Sequence, residues 1–218
     1  MTTTVHGVPP SPYVRKVLIT LELKGIGYEL DPVNPMEKTP EFLAISPMGK
    51  IPGFTDDKVT TADSTVICEY LEERYPQNSI FPESLEDRTR ARYLDEYGDT
   101  KLSEVLGPPL FFERVIKPRV FKEETDEARV QDNIENNIPP VFDYLESTVP
   151  AEEFFFGETL SIGDITFGCF FLNARYAKFE VDGSRWPALS AYVNRLLDHA
   201  AFQKRAAADH QFFTQPAA

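Results

Sequence analysis

Apolar positions along the first eighty residues switch between two periods. Thr3 to Val8 is a short β-prone run, closed by Gly7 and the Pro9-Pro10 pair. Val14, Val17, Leu18 and Leu21 then fall at i, i+3, i+4 and i+7, one stripe of a 3.6-residue helix. Ser11 stands at its N-cap and Pro12 at its first position, and Gly25 ends it. A second strand is expected around Tyr28 to Val33 and a short helix over Pro40 to Ile45. Ile51 to Phe54 and Lys58 to Thr61 read as a strand pair turned at Asp56-Asp57. A further helix opens at Asp63-Ser64, buries Val66, Ile67, Tyr70 and Leu71, and stops at Pro76. A βαβ unit leading into an antiparallel hairpin and a last helix is an α/β layer arrangement.

Beyond a polar, Pro- and Ser-bearing connector from Pro76 to Glu86, strand signals fade. From Asp87 the pattern is helical, with breaks expected at Pro108-Pro109 and Pro118. A helix over Asp126 to Thr148 carries the stripe Ile134, Ile138, Val141 and Leu145, and Pro139-Pro140 should kink or split it. Ser161-Ile-Gly-Asp164 reads as a capping box opening an apolar helix through the core of an all-helical second half.

Composition narrows the classes of partner. A net charge of −13, from 35 acidic against 22 basic residues, repels phosphate backbones and anionic membrane surfaces, so neither nucleic acid nor membrane is the expected partner. The two cysteines, Cys68 and Cys169, are far apart in apolar stretches, which suits a reducing compartment and packing roles. Neither has a neighbouring Cys or His at ligand spacing, and His6, His199 and His210 are scattered, so no metal is expected. The start at Met1 lacks the pattern of a signal peptide, and no apolar stretch is long enough to span a bilayer. The expectation is a soluble, cytoplasmic protein.

Five motifs in order carry a resemblance: Ser11-Pro-Tyr-Val-Arg15, Ser46-Pro-Met-Gly-Lys-Ile-Pro52, Asp63-Ser64, Gly157-Glu-Thr-Leu-Ser-Ile-Gly-Asp164 and Trp186-Pro-Ala-Leu189. Over nearly the whole chain the sequence resembles the cytosolic glutathione transferases, as a bacterial-type member with a serine-type active site and no assigned class. The resemblance implies an α/β thioredoxin-like N-terminal domain with a mixed four-stranded sheet, over residues 1–80. It implies an all-α C-terminal domain over 86–218, contributing a hydrophobic substrate pocket, and a homodimer.

The same resemblance assigns roles. Pro52 becomes a cis-proline that turns the Ile51 N–H and C=O outward to pair with the cysteinyl unit of glutathione, rather than a plain turn proline. Asp63 and Ser64, at a helix start, would hold the γ-glutamyl unit, with Asp63 shorter than the Glu common among relatives. Lys50 and Lys38 would hold the glycyl carboxylate. Ser11 would stabilise the thiolate, with Tyr13 in reserve, although Ser11 is also a good N-cap. No cysteine stands at position 11, which disfavours thiol–disulfide exchange. Tyr93, Tyr97, Leu106, Leu110, Phe111 and Phe112 could form an apolar wall of the second-substrate site, although aromatic stripes at helical spacing are usually core. The implied activity is transfer of the glutathione thiolate to a hydrophobic, uncharged electrophile, an alkyl or aryl transfer suited to detoxification, with glutathione as co-substrate. Two alternatives stay open: a catalytically silent interaction module, or a glutathione-dependent isomerase or peroxidase.

Overall fold

The β-prone runs condense into three-residue strands, β1 (Thr4–His6), β2 (Glu29–Asp31), β3 (Gly53–Thr55) and β4 (Thr60–Ala62). The computed structural model, which describes residues 2–214, joins them in one mixed sheet of order β2-β1-β3-β4. Met1 and residues 215–218, included in the expected domain limits, lie outside the described residues. β1 and β2 are parallel, β3 is antiparallel to β1, and β4 to β3. A parallel pair needs a crossover, supplied by helix α1 (Pro12–Leu23). His6 stitches three strands together: its Nδ1 lies 2.8 Å from Asp31 Oδ2 and its Nε2 3.2 Å from Thr55 Oγ1.

α2 (Pro40–Ile45) is capped by Thr39, and α3 (Ser64–Arg74) by Asp63. The buried stripe of α3 is Ser64, Ile67, Cys68, Leu71 and Glu72. Val66 was expected inside but is 51% exposed, because it lies off that i, i+3, i+4, i+7 row. The connector is less polar in effect than its composition suggests. Ile80 and Phe81 are buried, and Lys24, paired with Glu72 at 2.6 Å, reaches the Gln77 and Asn78 carbonyls at 3.4 Å.

α4 (Leu85–Tyr97), capped by Ser84, runs through a wider π-type turn at Gly98–Leu102 into α5 (Ser103–Leu106). The expected breaks at Pro108-Pro109 and Pro118 do not end the helical path, which continues as π-type turns over Gly107–Phe121. Pro108 sits in the first turn, where its missing N–H costs nothing, and wider winding relieves the proline–carbonyl clash further on. The next helix is split, as expected of Pro139-Pro140: α6 (Glu127–Asp132), a π-type turn at Asn133–Asn137, then α7 (Ile138–Glu146). α8 (Ile162–Tyr176), α9 (Pro187–Asp198) and α10 (Ala200–Thr214) complete the described chain. α8 is buried on every face from Ile162 to Ala174 and packs against α1 and α4. Small residues let α4 approach it: a Cβ on Gly163 would lie 2.8 Å from Leu94 Cβ, and one on Gly98 2.5 Å from Thr166.

Cys68 and Cys169 are buried, and burial pushes both thiols up to about 12, as packing residues require. No helix among the described residues is long and apolar enough to cross a membrane, and no cluster of three or more His, Cys, Asp or Glu there could hold a metal ion.

The capping box at the start of α8 is present and carries more than a cap. The Asp164 carboxylate accepts from the Ser161 N–H (2.8 Å) and hydroxyl (2.5 Å), the Phe155 N–H (3.1 Å) and the Tyr192 hydroxyl (2.6 Å). Asp164→Ala would strand several buried donors and should lower stability by about 3 kcal/mol and Tm by about 10 °C. Thermal unfolding followed by circular dichroism checks this; an unchanged Tm would contradict the assignment.

Candidate active site

The loop after β1 turns into α1 at Ser11, whose extended backbone (φ −66°, ψ 126°) makes it the N-cap. Its Oγ accepts a long, 3.4 Å bond from the Val14 N–H, and no described residue receives its proton. Tyr13 is differently placed. Its hydroxyl lies 2.7 Å from Ser103 Oγ on α5, and burial raises its pKa, so Tyr13 keeps its proton and its oxygen already has a partner.

The Ile51–Pro52 peptide is cis. Upstream, Ser46 shapes the approach: its hydroxyl donates to the Lys50 carbonyl at 2.7 Å and accepts from the Lys50 N–H at 3.3 Å. No hydrogen bond among the described residues uses the Ile51 main-chain groups. Gly49 adopts φ 63°, and the stem of Lys38 lies across it, 3.0 Å from where a Cβ would project. That contact sets Lys38 against the residue before Lys50, although the two lysines are twelve positions apart in the chain.

Asp63 holds φ 77°, a left-handed conformation costly for a residue other than Gly. Its Oδ1 accepts from the Thr65 N–H (2.9 Å) and Val66 N–H (3.2 Å), leaving Oδ2 outside the cap. Ser64, first residue of α3, is 3% exposed, and its hydroxyl has no partner among the described residues. Helix N-termini of this kind favour carboxylates.

All eight predicted site residues line one cleft of about 850 Å³: Ser11, Tyr13, Lys38, Lys50, Ile51, Pro52, Asp63 and Ser64. The cleft is polarised. Lys38 and Lys50 stand on the Gly49 side, and Asp63, Glu96 and Asp99 on the α3–α4 side. Its apolar lining comes from Pro35, Met36, Met48, Ile51, Pro52 and Val66. The expected aromatic wall needs correction, since none of its six residues lines this cleft. Leu106, Leu110 and Phe111 are buried in the helical core, Tyr97 packs on Tyr144 with centroids 4.7 Å apart, and Phe112 on Phe121 at 5.8 Å. Tyr93 is exposed on α4, and the helical half offers the cleft Glu96 and Asp99 instead.

Beneath the cleft lies a buried charge cluster that the sequence reading did not include. Lys16 Nζ lies 2.5 Å from Asp95 Oδ1, 2.8 Å from Asp99 Oδ2 and 2.9 Å from Thr65 Oγ1. Thr166 donates to Asp95 at 2.5 Å. Burial alone would lower the Lys16 pKa, but the two carboxylates outweigh it and hold it above its ordinary value. Asp99 is pushed up to about 6, mainly by burial and further by Asp95, against the pull of Lys16. Two carboxylates share one cation, so the second keeps its proton longer.

Residues 5–79 match the family described as glutathione S-transferase, N-terminal domain, and residues 127–195 match glutathione S-transferase, C-terminal domain. The chain belongs to the glutathione S-transferase family. A family relative, the probable glutathione S-transferase of Glycine max, is 29% identical over 160 residues, covering 73% of this chain and 65% of that protein, just under two thirds of its length. Maleylacetoacetate isomerase of Rattus norvegicus is 29% identical over 193 residues, 86% of this chain and 84% of the isomerase. The crystal structure of a glutathione S-transferase from Rhodospirillum rubrum F11 has a TM-score of 0.83 at 24% identity, covering 93% of this chain and 91% of that one. At that identity the shared property is the family fold, a thioredoxin-like sheet domain followed by helices.

One sequence signal could have revealed the cluster. Arg15 and Lys16 interrupt an apolar helix, and no acid stands three or four residues away to pair with either. Such cations must find partners elsewhere in the fold.

The cluster has a pH consequence. A carboxyl whose pKa rises on folding binds its proton more tightly when folded, so its ionisation opposes folding. For Asp99 that loss sets in as pH rises from the ordinary 3.8 to about 6 and persists above. Asp99→Asn cannot ionise and escapes it. The stability cost of this substitution should shrink by on the order of 2 kcal/mol between about pH 4 and pH 7. Urea unfolding at both values measures it, and a cost that grows with pH would reject the account.

Proposed function

We propose that this member of the glutathione transferase family binds glutathione in the polarised cleft and transfers its thiolate to the carbon of an uncharged, hydrophobic electrophile. The observation that carries the reading is the charge order along the cleft. Glutathione carries a carboxylate at its glycyl end, and an ammonium with a carboxylate at its γ-glutamyl end. Lys38 and Lys50 suit the first, while Asp63 and the Ser64 helix start suit the second. Ile51, between them, offers main-chain groups to the cysteinyl unit.

In that pose the sulfur lies near Ser11, whose unengaged proton is available to the thiolate, whereas Tyr13 already bonds Ser103. Lowering a thiol from about 8.5 to about 6.5 favours the thiolate by roughly 2.7 kcal/mol, within reach of a hydroxyl donor and the α1 N-terminus together. The thiolate then forms a C–S bond, the leaving group departs with the bonding pair, and the thiol proton passes to solvent.

The division at 1–80 and 86–218, a cytoplasmic location and a detoxifying role belong to the same proposal. So does a homodimer, supported by the exposed Leu85 and Tyr93 on α4. Light scattering should give twice the 24.8 kDa chain mass; a monomer would reject the dimer. A second reading, glutathione-dependent isomerisation, is supported by the alignment with the rat isomerase, and a maleyl diketo acid assayed beside an aryl halide separates the two.

Titration of glutathione into wild type and Ser11→Ala, following thiolate absorbance and aryl-halide turnover, tests the mechanism. Ser11→Ala should bind glutathione within about threefold of wild type, lose thiolate at neutral pH and drop kcat about a hundredfold. Failure of both proteins to bind glutathione would turn the reading to a silent interaction module.

A further inference from the structure

The peptide unit that delivers Ser11 is held by the far end of the chain. Arg15 lies one turn after Ser11 and is 0% exposed. Its guanidinium donates to Asp209 Oδ2 on α10 through Nε (3.2 Å) and Nη2 (2.6 Å). Nη1 donates to the Cys169 carbonyl and to Asn173 Oδ1 on α8, both at 2.9 Å. Nη2 also reaches the Pro10 carbonyl at 3.4 Å, and Asn173 Nδ2 donates to that same carbonyl at 3.1 Å. The Tyr176 hydroxyl closes on Asp209 Oδ2 at 2.9 Å.

The Pro10 carbonyl and the Ser11 N–H belong to one planar unit. The N–H end is bound to the Val8 carbonyl at 3.1 Å, and the carbonyl end to Asn173 and Arg15. A plane held at both ends resists rotation, and on the other side of the Cα the Ser11 carbonyl accepts from the Arg15 N–H at 2.9 Å, so the backbone that carries the Ser11 side chain is held on both sides, in part from α8 and α10. A buried ion pair is weak evidence of net stabilisation, whereas a planar guanidinium fork orients several groups at once.

We propose that Arg15, Asn173 and Asp209 form a positioning latch by which α10 aims the Ser11 hydroxyl at the glutathione sulfur. The inference rests on the role given to Ser11 above. None of the three touches glutathione in this scheme; each acts through the Pro10–Ser11 peptide. Misplacing a reacting group by about 1 Å can cost roughly a hundredfold in rate, which gives such a latch its leverage.

Asn173→Ala and Asp209→Asn test it, with near-ultraviolet circular dichroism confirming a native fold. Asp209→Asn leaves Arg15 buried without a counter-charge; should it not fold, Asn173→Ala carries the test alone. The readouts are glutathione Kd by calorimetry, the pKa of bound thiol from thiolate absorbance against pH, and kcat against pH. The latch predicts a Kd within about threefold of wild type, a bound-thiol pKa raised by about one unit, and kcat about fivefold lower near pH 6.5 but recovered near pH 9. An unmoved thiol pKa in a folded variant overturns it, whether kcat stays level or falls together with binding as for a plain structural staple. A wild type that binds glutathione without forming thiolate overturns instead the role of Ser11, before any variant is compared.

Discussion

Helix α1 must bury two adjacent cations, and much of the molecule is arranged around that requirement. The helix lies between α3 of the sheet half and α8 of the helical half, where Arg15 and Lys16 are out of solvent. A buried charge without a partner costs several kcal/mol, so each needs a carboxylate from another element. Arg15 finds Asp209 on α10, and Lys16 finds Asp95 at the end of α4 and Asp99 just beyond it. The two pairs therefore tie the halves together on opposite ends of the helical chain, and together they fix how α1 sits.

The position of α1 in turn places Ser11 at the cleft. Ser11 is its N-cap, so whatever holds the helix holds the hydroxyl. Thr65, directly after Ser64, hydrogen-bonds both Lys16 and Asp95, which links the start of α3 to the same cluster. Two helix N-termini, those of α1 and α3, thus face one cleft with their relative positions set by a single buried charge network. Each of these termini favours negative charge on its side of the cleft. The helical half contributes little apolar surface to this cleft and much of its electrostatic floor.

Much of the fold was legible because it rests on local rules. The stripe at Val14, Val17, Leu18 and Leu21 became the buried side of α1, Pro40–Ile45 became α2, and Ser161 with Asp164 capped α8. The cleft residues were legible because the motifs holding them are contiguous: Ser11 to Tyr13, Lys50 to Pro52, Asp63 and Ser64. Errors fell where local rules give no answer. Val66 faces the cleft because the buried row of α3 runs through Ser64, Ile67 and Leu71. The prolines at 108, 109 and 118 did not end the helix, because wider turns absorb them.

By itself the sequence determined the element types, the caps and the identity of the residues that converge, because each depends on neighbours within about a turn. It also carried the five ordered motifs of the family. Only the tertiary structure decided the pairing of Lys16 with Asp95 and Asp99, and of Arg15 with Asp209, 194 residues away. It also decided that Phe111 is buried in the bundle and that none of the aromatics of 93–112 lines the cleft. Buried charges choose partners by three-dimensional proximity in a low-dielectric interior, and sequence separation carries no record of that choice.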